Sequence, residues 1–282
     1  MLIIPVGDAI AKHLTGIDYH VLQIAWGRWV SHLVILTPVV LLAHGPRSLR
    51  PHRVGLHTLR ALLLVGATVC YFFALRFIPL ANAAAIIFVA PLIVTALSGL
   101  MLGEHVGLRR WTAVLAGFAG MLLIVRPGLG VTHWGAGFAL AAAVGFSFYL
   151  LLTRKVAGRT PPLVTLWFMG VVGTVAMSPF AVPVWQAPDL EGWMLMAAIG
   201  GVMALGHLCI ITAMDFVEAS ACAPLVYLEM VTATTLGYFW FGDFPDALTW
   251  TGCAAVIAAG LFIAYRERVL SQRTAGADVP VR

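Results

Sequence analysis

The stretch "ALRFIPLANAAAIIFVAPLIVTALSGLMLGE", residues 74–104, returns later in the chain as "AMDFVEASACAPLVYLEMVTATTLGYFWFGD", residues 213–243. The two stretches lie 139 positions apart and align without a gap. At this offset the matched pairs are Phe77 with Phe216, Thr95 with Thr234, Gly103 with Gly242, and Glu104 with Asp243. The repeat continues into Trp-Thr pairs further on, so the chain consists of two related halves.

The composition is that of a membrane protein. Of the 282 residues, 61% are hydrophobic and only 10% are charged, and the mean hydropathy is +0.96. A soluble domain carries about 25% charged residues, which this chain lacks. Apolar runs of about 20 residues recur, each long enough to cross a bilayer as a helix. The alternating pattern of a membrane β-barrel is absent. We therefore predict an all-α integral membrane protein.

The apolar runs predict about ten transmembrane helices, five in each half. The predicted ranges are 1–15, 20–43, 58–78, 81–102, 108–126, 134–153, 163–185, 192–214, 219–241 and 249–266. An odd number of helices per half turns the second half over in the membrane. Such inverted repeats are typical of secondary transporters, whose substrates bind between the halves. The predicted units are a first repeat over 1–127 with a short first helix, a second repeat over 134–267, and a polar cytoplasmic tail over 268–282.

The net charge of +5 resides in basic residues between the apolar runs. No basic patch is interleaved with stacking aromatics, so nucleic-acid binding is not expected. With the N-terminus inside, the outside loops hold only Arg76 and Arg126. The inside loops and tail hold Arg47, Arg50, Arg53, Arg60, Arg109, Arg110, Arg154, Lys155, Arg159, Arg266, Arg268 and Arg273. This asymmetry predicts a multi-pass protein of a bacterial-type cytoplasmic (inner) membrane with both termini cytoplasmic. The first helix is short, or the natural start lies upstream of Met1.

Four motifs resemble one known family. They are "APLIVTALSGLMLGE" at the end of helix 4, "LGYFWFGDFPD" at the end of helix 9, and the opening "PVGDAIAKHL" with "LQIAWGRW". Together with the repeat they resemble the drug/metabolite transporter superfamily, specifically its EamA-type ten-helix carriers. The resemblance implies a central cavity lined largely by helices 1, 3, 4, 6, 8 and 9. Members of this family move amino acids, nucleotide-like metabolites, vitamins such as riboflavin, metallophores or drugs. The chain departs from the pattern where Met230 occupies the repeat position of Pro91.

Glu229 stands near the middle of the predicted helix 9. A charged side chain at the bilayer centre costs at least about 2.5–3.5 kcal/mol, so it is expected to face a cavity or a partner. A carboxylate that gains and loses a proton there can couple transport to protons or bind substrate. Alternatively, Glu229 is a protonated side chain that only stabilises packing against a neighbouring helix.

Four further polar residues lie inside the apolar runs. Asp8 and Lys12 are four positions apart on one helical face and can pair. The pair would act as a gate or a substrate anchor, or it would only neutralise its own charges so that the helix can insert. Arg28 and His32 share one face of helix 2. Arg28 is a candidate counter-ion for an anionic substrate, or alternatively a structural partner of Asp8 or of a broken helix end. His207 belongs to a proton relay, or it is a core histidine whose ring nitrogens are hydrogen-bonded within the protein. Plausible polar lining residues of the cavity are Tyr71, Asn82, Ser147, Tyr149 and Tyr227.

Signatures of other chemistry are missing from the sequence. The four cysteines form no CxxC, so neither a disulfide framework nor a zinc site is expected. There is no GxGxxG, Walker loop, HExxH or GxSxG. We predict no cofactor, no metal and no enzymatic activity.

The sequence thus predicts a secondary active transporter of a small polar or amphipathic metabolite that works by alternating access. Candidate substrates are an amino-acid-like metabolite, a metallophore or a vitamin such as riboflavin, and protons are a candidate coupling ion. The expected partners are this small molecule and the lipid bilayer, with the chain acting as a monomer or homodimer. The alternative is a non-transporting membrane scaffold or an intramembrane enzyme.

Overall fold

The computed structural model describes residues 2–102, 107–126, 134–216 and 228–277. Within these ranges the secondary structure is entirely helical. The α-helices are α1 Ile4–Gly16, α2 Val21–His44, α3 Val54–Phe77, α4 Leu80–Ile87, α5 Ala90–Leu102, α6 Leu108–Val125, α7 Trp134–Val156, α8 Pro162–Ala181, α9 Leu190–Phe216, α10 Leu228–Phe241 and α11 Ala247–Ala277. Two short 3₁₀ helices occupy Pro46–Ser48 and Val182–Val184.

The described helices include eight segments that are long and apolar enough to cross a membrane. These segments are α2, α3, α6, α7, α9, the stretch Leu80–Leu97 across α4 and α5, the stretch Pro162–Val184 across α8, and Ala247–Arg266 in α11. The helices α1 and α10 are apolar but shorter. The predicted all-α integral membrane protein is confirmed.

The predicted helix 4 over 81–102 is two helices. α4 ends at Ile87 and α5 begins at Ala90, with buried Phe88 and Val89 between them. The cause is Pro91, which has no N–H to give to the carbonyl of Ile87 four residues earlier. The chain closes the gap with shorter bonds, since the Val89 N–H donates to the Ile86 carbonyl at 3.1 Å.

The last helix is longer than predicted. The sequence pattern placed its end near residue 266, followed by a polar tail, whereas α11 continues to Ala277. The residues after Arg266 include Glu, Arg, Leu and Gln, which favour helix in water, and no proline interrupts them. Polarity marks where this helix leaves the apolar layer but does not end it.

Helix pairs that join the two predicted repeats hold the bundle together. α3 packs along α7, α2 packs against α8 and α9, and α6 packs along α11. The last pair approaches through glycines: a Cβ on Gly252 would lie 2.5 Å from the Gly120 carbonyl oxygen. Small residues at such crossings let helix backbones approach closely in a membrane. The interior surfaces therefore combine side chains from both repeats.

Candidate functional site

A buried polar cluster lies where α2, α3, α7 and α9 meet. It consists of Arg28, Thr68, Tyr149 and His207, which we call the Arg28 cluster. An Arg28 Nη1–H donates to Thr68 Oγ1, and Arg28 Nη2 lies 3.1 Å from His207 Nε2. His207 Nδ1 in turn lies 3.4 Å from the Tyr149 hydroxyl. Two of the four helices belong to each predicted repeat, so the cluster joins the halves.

The guanidinium fixes the proton on His207. Arginine has only N–H donors, so His207 Nε2 must accept from Arg28. The ring proton is then on Nδ1, which donates to the Tyr149 oxygen. Both ring nitrogens have partners, and because arginine accepts no proton, this arrangement favours the predicted core histidine over a proton relay. His207 nevertheless lies inside the cluster and orients Tyr149, whose ring it meets edge-on at 5.7 Å.

Arg28 is only 2% exposed and lies against an aromatic ring. Its guanidinium carbon lies 4.5 Å from the centre of the Trp29 ring. Arg28 also interacts electrostatically with buried Asp8 of α1, which agrees with the predicted structural partnership. Its Nε–H has no partner among the described residues. One donor of this buried cation is therefore unpartnered within the part of the chain that the structure describes.

Asp8 interacts with two further candidates. Glu229 lies in the first described turn of α10, is half-buried, and interacts electrostatically with Asp8. Tyr71 is buried and interacts with both carboxylates. Thr232 and Ala233, three and four residues further along α10, are half-buried and buried, so small side chains share the helix face of Glu229. Carboxyl groups from α1 and α10 thus interact with each other, and the one on α1 interacts with Arg28.

Lys12 belongs to a different contact, and its predicted pairing with Asp8 is wrong. Lys12 Nζ lies 2.7 Å from Asp243 Oδ2 and donates to the Ile78 carbonyl at 3.3 Å. The ammonium also lies 4.9 Å from the centre of the Phe241 ring. Folding brings the C-terminal end of α10 beside α1. This end supplies the carboxylate of Asp243 and the ring of Phe241 to Lys12. Lys12 therefore clamps the two repeats together outside the Arg28 cluster.

The predicted lining residues have different environments. Asn82 is half-buried in α4. The Ser147 hydroxyl is used in packing, because it lies 2.6 Å from the Ala143 carbonyl and 3.1 Å from the Ala90 carbonyl at the start of α5. Tyr227 lies outside the described residues.

The sequence pattern missed one buried cation, Arg60. It was counted among the loop arginines because the predicted helix began at residue 58. α3 begins at Val54 instead, which places Arg60 nearly two turns inside the helix with 1% exposure. The signal was present in the apolar residues around it, "GLHTLRALLLVG". Arg60 reaches the other side of Tyr149, with its guanidinium carbon 5.4 Å from the ring centre.

Membrane-spanning helices in two related halves, with a buried ionic cluster between them, define a carrier-type membrane protein. The comparison with known families agrees. The chain belongs to the EamA-like transporter family, which matches residues 2–126 and again residues 133–265. It is a multi-pass membrane protein of the drug/metabolite transporter superfamily, and the family is one of transporters rather than enzymes.

Similar proteins of known role are bacterial transporters. An S-adenosylmethionine uptake transporter of Rickettsia bellii is 29% identical over 93% of this chain and 89% of its own length. A riboflavin transporter of Vibrio cholerae is 29% identical over 89% and 85%. A pseudopaline exporter of Pseudomonas aeruginosa is 30% identical over 68% of both chains. One solved structure superposes with a TM-score of 0.68 at 22% identity, covering 95% of each chain, which shows the shared fold.

Proposed function

We propose that this protein is a secondary carrier that moves a small amino-acid-like metabolite by alternating access, with protons as the coupling ion. The observation that supports the proposal is the Arg28 cluster, in which α2 and α3 of the first repeat meet α7 and α9 of the second. Transporters with repeated halves bind substrate between them near the membrane midplane. A residue network that bridges the halves is therefore the candidate position for such a substrate.

The charges of the site suit a zwitterion. Guanidinium groups bind carboxylates through parallel N–H donors, and Arg28 has an unpartnered Nε–H while its other nitrogens contact only neutral groups. The carboxyl groups of Asp8 and Glu229, once deprotonated, would provide negative charge for an ammonium group. Among the substrates named for similar proteins, S-adenosylmethionine carries such an amino-acid end. Riboflavin does not, so the Arg28 cluster favours the amino-acid-like class.

The same carboxylates are the proposed coupling groups. Glu229 and Asp8 interact with each other, so the proton occupancy of one changes the charge that the other experiences. Binding of a substrate ammonium next to them would displace a proton. Because Asp8 interacts with Arg28 as well, release of that proton would be linked to occupation of the cluster.

The test is transport into proteoliposomes supplied with a mixed metabolite pool, read by mass spectrometry with and without a pH gradient. We expect an amino-acid-like species to move only with the protein and faster with the gradient. Glu229→Gln should remove the gradient dependence. Glu191→Gln, at an exposed glutamate in the first turn of α9, is the matched control and should leave transport unchanged. Gradient-driven transport that persists in Glu229→Gln at every pH excludes Glu229 from coupling.

A further inference from the structure

Arg60 is a second buried guanidinium next to the Arg28 cluster, and its contacts are weak ones. Its Nη1 donates to Thr153 Oγ1 at 3.3 Å, and its Nη2 lies 2.8 Å from Met169 Sδ. Its Nε–H has no hydrogen-bond partner among the described residues. A hydroxyl and a thioether are neutral acceptors, and the thioether is a poor one. The fold therefore buries the Arg60 guanidinium without giving all of its N–H donors good hydrogen-bond acceptors.

The two buried arginines differ in their counter-ions. Arg28 interacts with the carboxylate of Asp8, whereas no carboxylate pairs with Arg60 among the side chains that the structure describes. A buried charge without a counter-ion is strongly unfavourable, and an apolar residue of similar size would pack there at lower cost. Stability alone gives no reason for an arginine at this position.

The two guanidinium groups flank the same pair of side chains. Tyr149 presents its ring to Arg60 and its hydroxyl to His207, and His207 contacts Arg28 on its other side. Along α3, Arg60 precedes Thr68, the partner of Arg28, by eight residues, which is about 12 Å at 1.5 Å per residue. Arg60 thus lies between the Arg28 cluster and the N-terminal end of α3. The loop that precedes this end, before Val54, also carries arginines.

Further basic groups lead from that loop to Arg60. His57, one turn earlier in α3, is buried, and neither of its ring nitrogens has a partner among the described residues. It interacts electrostatically with both Arg60 and His52. His52 lines a surface cavity of about 630 Å³ together with Arg50, Arg53 and Arg159. Basic side chains therefore follow one another from the surface to the buried site.

We propose that Arg60 is a second anion-binding subsite, which takes a carboxylate or phosphate group of the transported metabolite in addition to the amino-acid end held at Arg28. The proposal rests on the proposed function and narrows its substrate class. The metabolite would carry an acidic group beyond its amino-acid moiety and would thus differ from S-adenosylmethionine, which carries none. The unpartnered Nε–H of Arg60 would bind that group, together with the Nη donors that contact Thr153 and Met169 in this structure.

The first experiment measures the melting temperature of the purified full chain in detergent at constant ionic strength. Citrate and inorganic phosphate are the probes, and acetate is the singly charged comparison. We expect citrate or phosphate to raise the melting temperature of the wild type more than acetate does, and to raise that of Arg60→Met no more than acetate does. Arg60→Met by itself should melt no lower than the wild type, because it removes an uncompensated buried charge. Arg60→Lys keeps the charge without the planar fork and should retain part of the shift.

The matched control is Arg109→Met, at an exposed arginine in the first turn of α6, which should keep the full shift. A lower melting temperature for Arg60→Met with its anion-dependent shift intact would show a structural arginine and overturn the proposal. The absence of any citrate or phosphate shift in the wild type beyond that of acetate would also overturn it.

The second experiment repeats the proteoliposome assay with these variants. We expect the species moved by the wild type to carry the additional acidic group. Arg60→Met should slow its transport about tenfold to a hundredfold, the factor of one charge-assisted hydrogen bond. If the wild type moves a metabolite without that group and Arg60→Met moves it equally well, the carrier stands and the subsite is rejected. If nothing moves while the Arg60-dependent thermal shift persists, the anion site stands and the proposed function fails.

Discussion

Gly200 of α9 allows α2 to approach closely enough to place Arg28. A Cβ on Gly200 would lie 2.5 Å from Ser31 Cβ, 2.7 Å from the His32 nitrogen and 3.0 Å from the Arg28 carbonyl oxygen. Two of these atoms belong to the backbone of α2 and cannot rotate away. Gly200→Ala must therefore push α2 and α9 apart and move the residue that carries the guanidinium.

The neighbouring Gly201 provides the control. A Cβ there would meet only Ile35 Cδ1, at an ordinary contact distance of 3.5 Å. Replacing either glycine by alanine gains up to about 1 kcal/mol of helix propensity, which cancels when the two variants are compared. Overpacking in a well-packed interior costs about 1–3 kcal/mol, and only Gly200→Ala incurs it. We expect Gly200→Ala to melt below Gly201→Ala by about 2–4 °C for each kcal/mol.

The assay is thermal unfolding of both purified variants in the same detergent, followed by transport in proteoliposomes. Gly200→Ala should transport more slowly because Arg28 is displaced from His207, whereas Gly201→Ala should match the wild type. Equal melting temperatures for the two variants would refute the close approach of α2 and α9 at this point. Reduced stability with full transport would show that the position of Arg28 is not critical.

Three further outcomes are expected. Lys12→Met and Asp243→Asn should each lower the melting temperature, and the double variant should lose about 1 kcal/mol less than the sum if the pair is direct. Arg126 donates to Asp246 and holds the pKa of that carboxyl well below its usual range, so the stabilisation is complete above the unfolded-state pKa of about 4 and is lost at lower pH. Asp246→Asn, which can still cap the helix, should therefore show a smaller fall in melting temperature between about pH 5 and pH 2. Tyr149→Phe removes one hydroxyl contact and keeps the ring, so transport should fall clearly while stability drops by only about 1 kcal/mol, measured by the same two assays.

Much of the fold was predictable because its causes are local. A run of about 20 apolar residues predicts a membrane helix whatever surrounds it. The break at Phe88 and Val89 also has a local cause, the missing N–H of Pro91, although the apolar pattern predicted one unbroken helix there. The predicted end of α11 was wrong because the prediction followed the polarity of the residues after Arg266. Their helix propensity, which is also a local property, lets the helix continue.

The candidate site was only partly predictable. Asp8, Arg28 and Glu229 stood out because charged residues are rare in apolar helices. Arg60 did not, because its burial depends on where α3 begins and on packing against α7 and α8. Asn82 and Ser147 were plausible on composition, but the Ser147 hydroxyl is committed to backbone carbonyls.

By itself, the sequence determined that this is an all-α membrane protein with two related halves, and it identified most of the charged residues in the interior. Hydrophobic length and repetition are properties of the chain, so they need no knowledge of the fold. Only the tertiary structure decided the partners: Lys12 with Asp243, Arg28 with His207, and Arg60 with Tyr149. Each of these pairs joins residues 89 to 231 positions apart, as in Arg60–Tyr149 and Lys12–Asp243. Contacts at such separations depend on which helices pack side by side, and hydrophobic patterning within one helix carries no information about that.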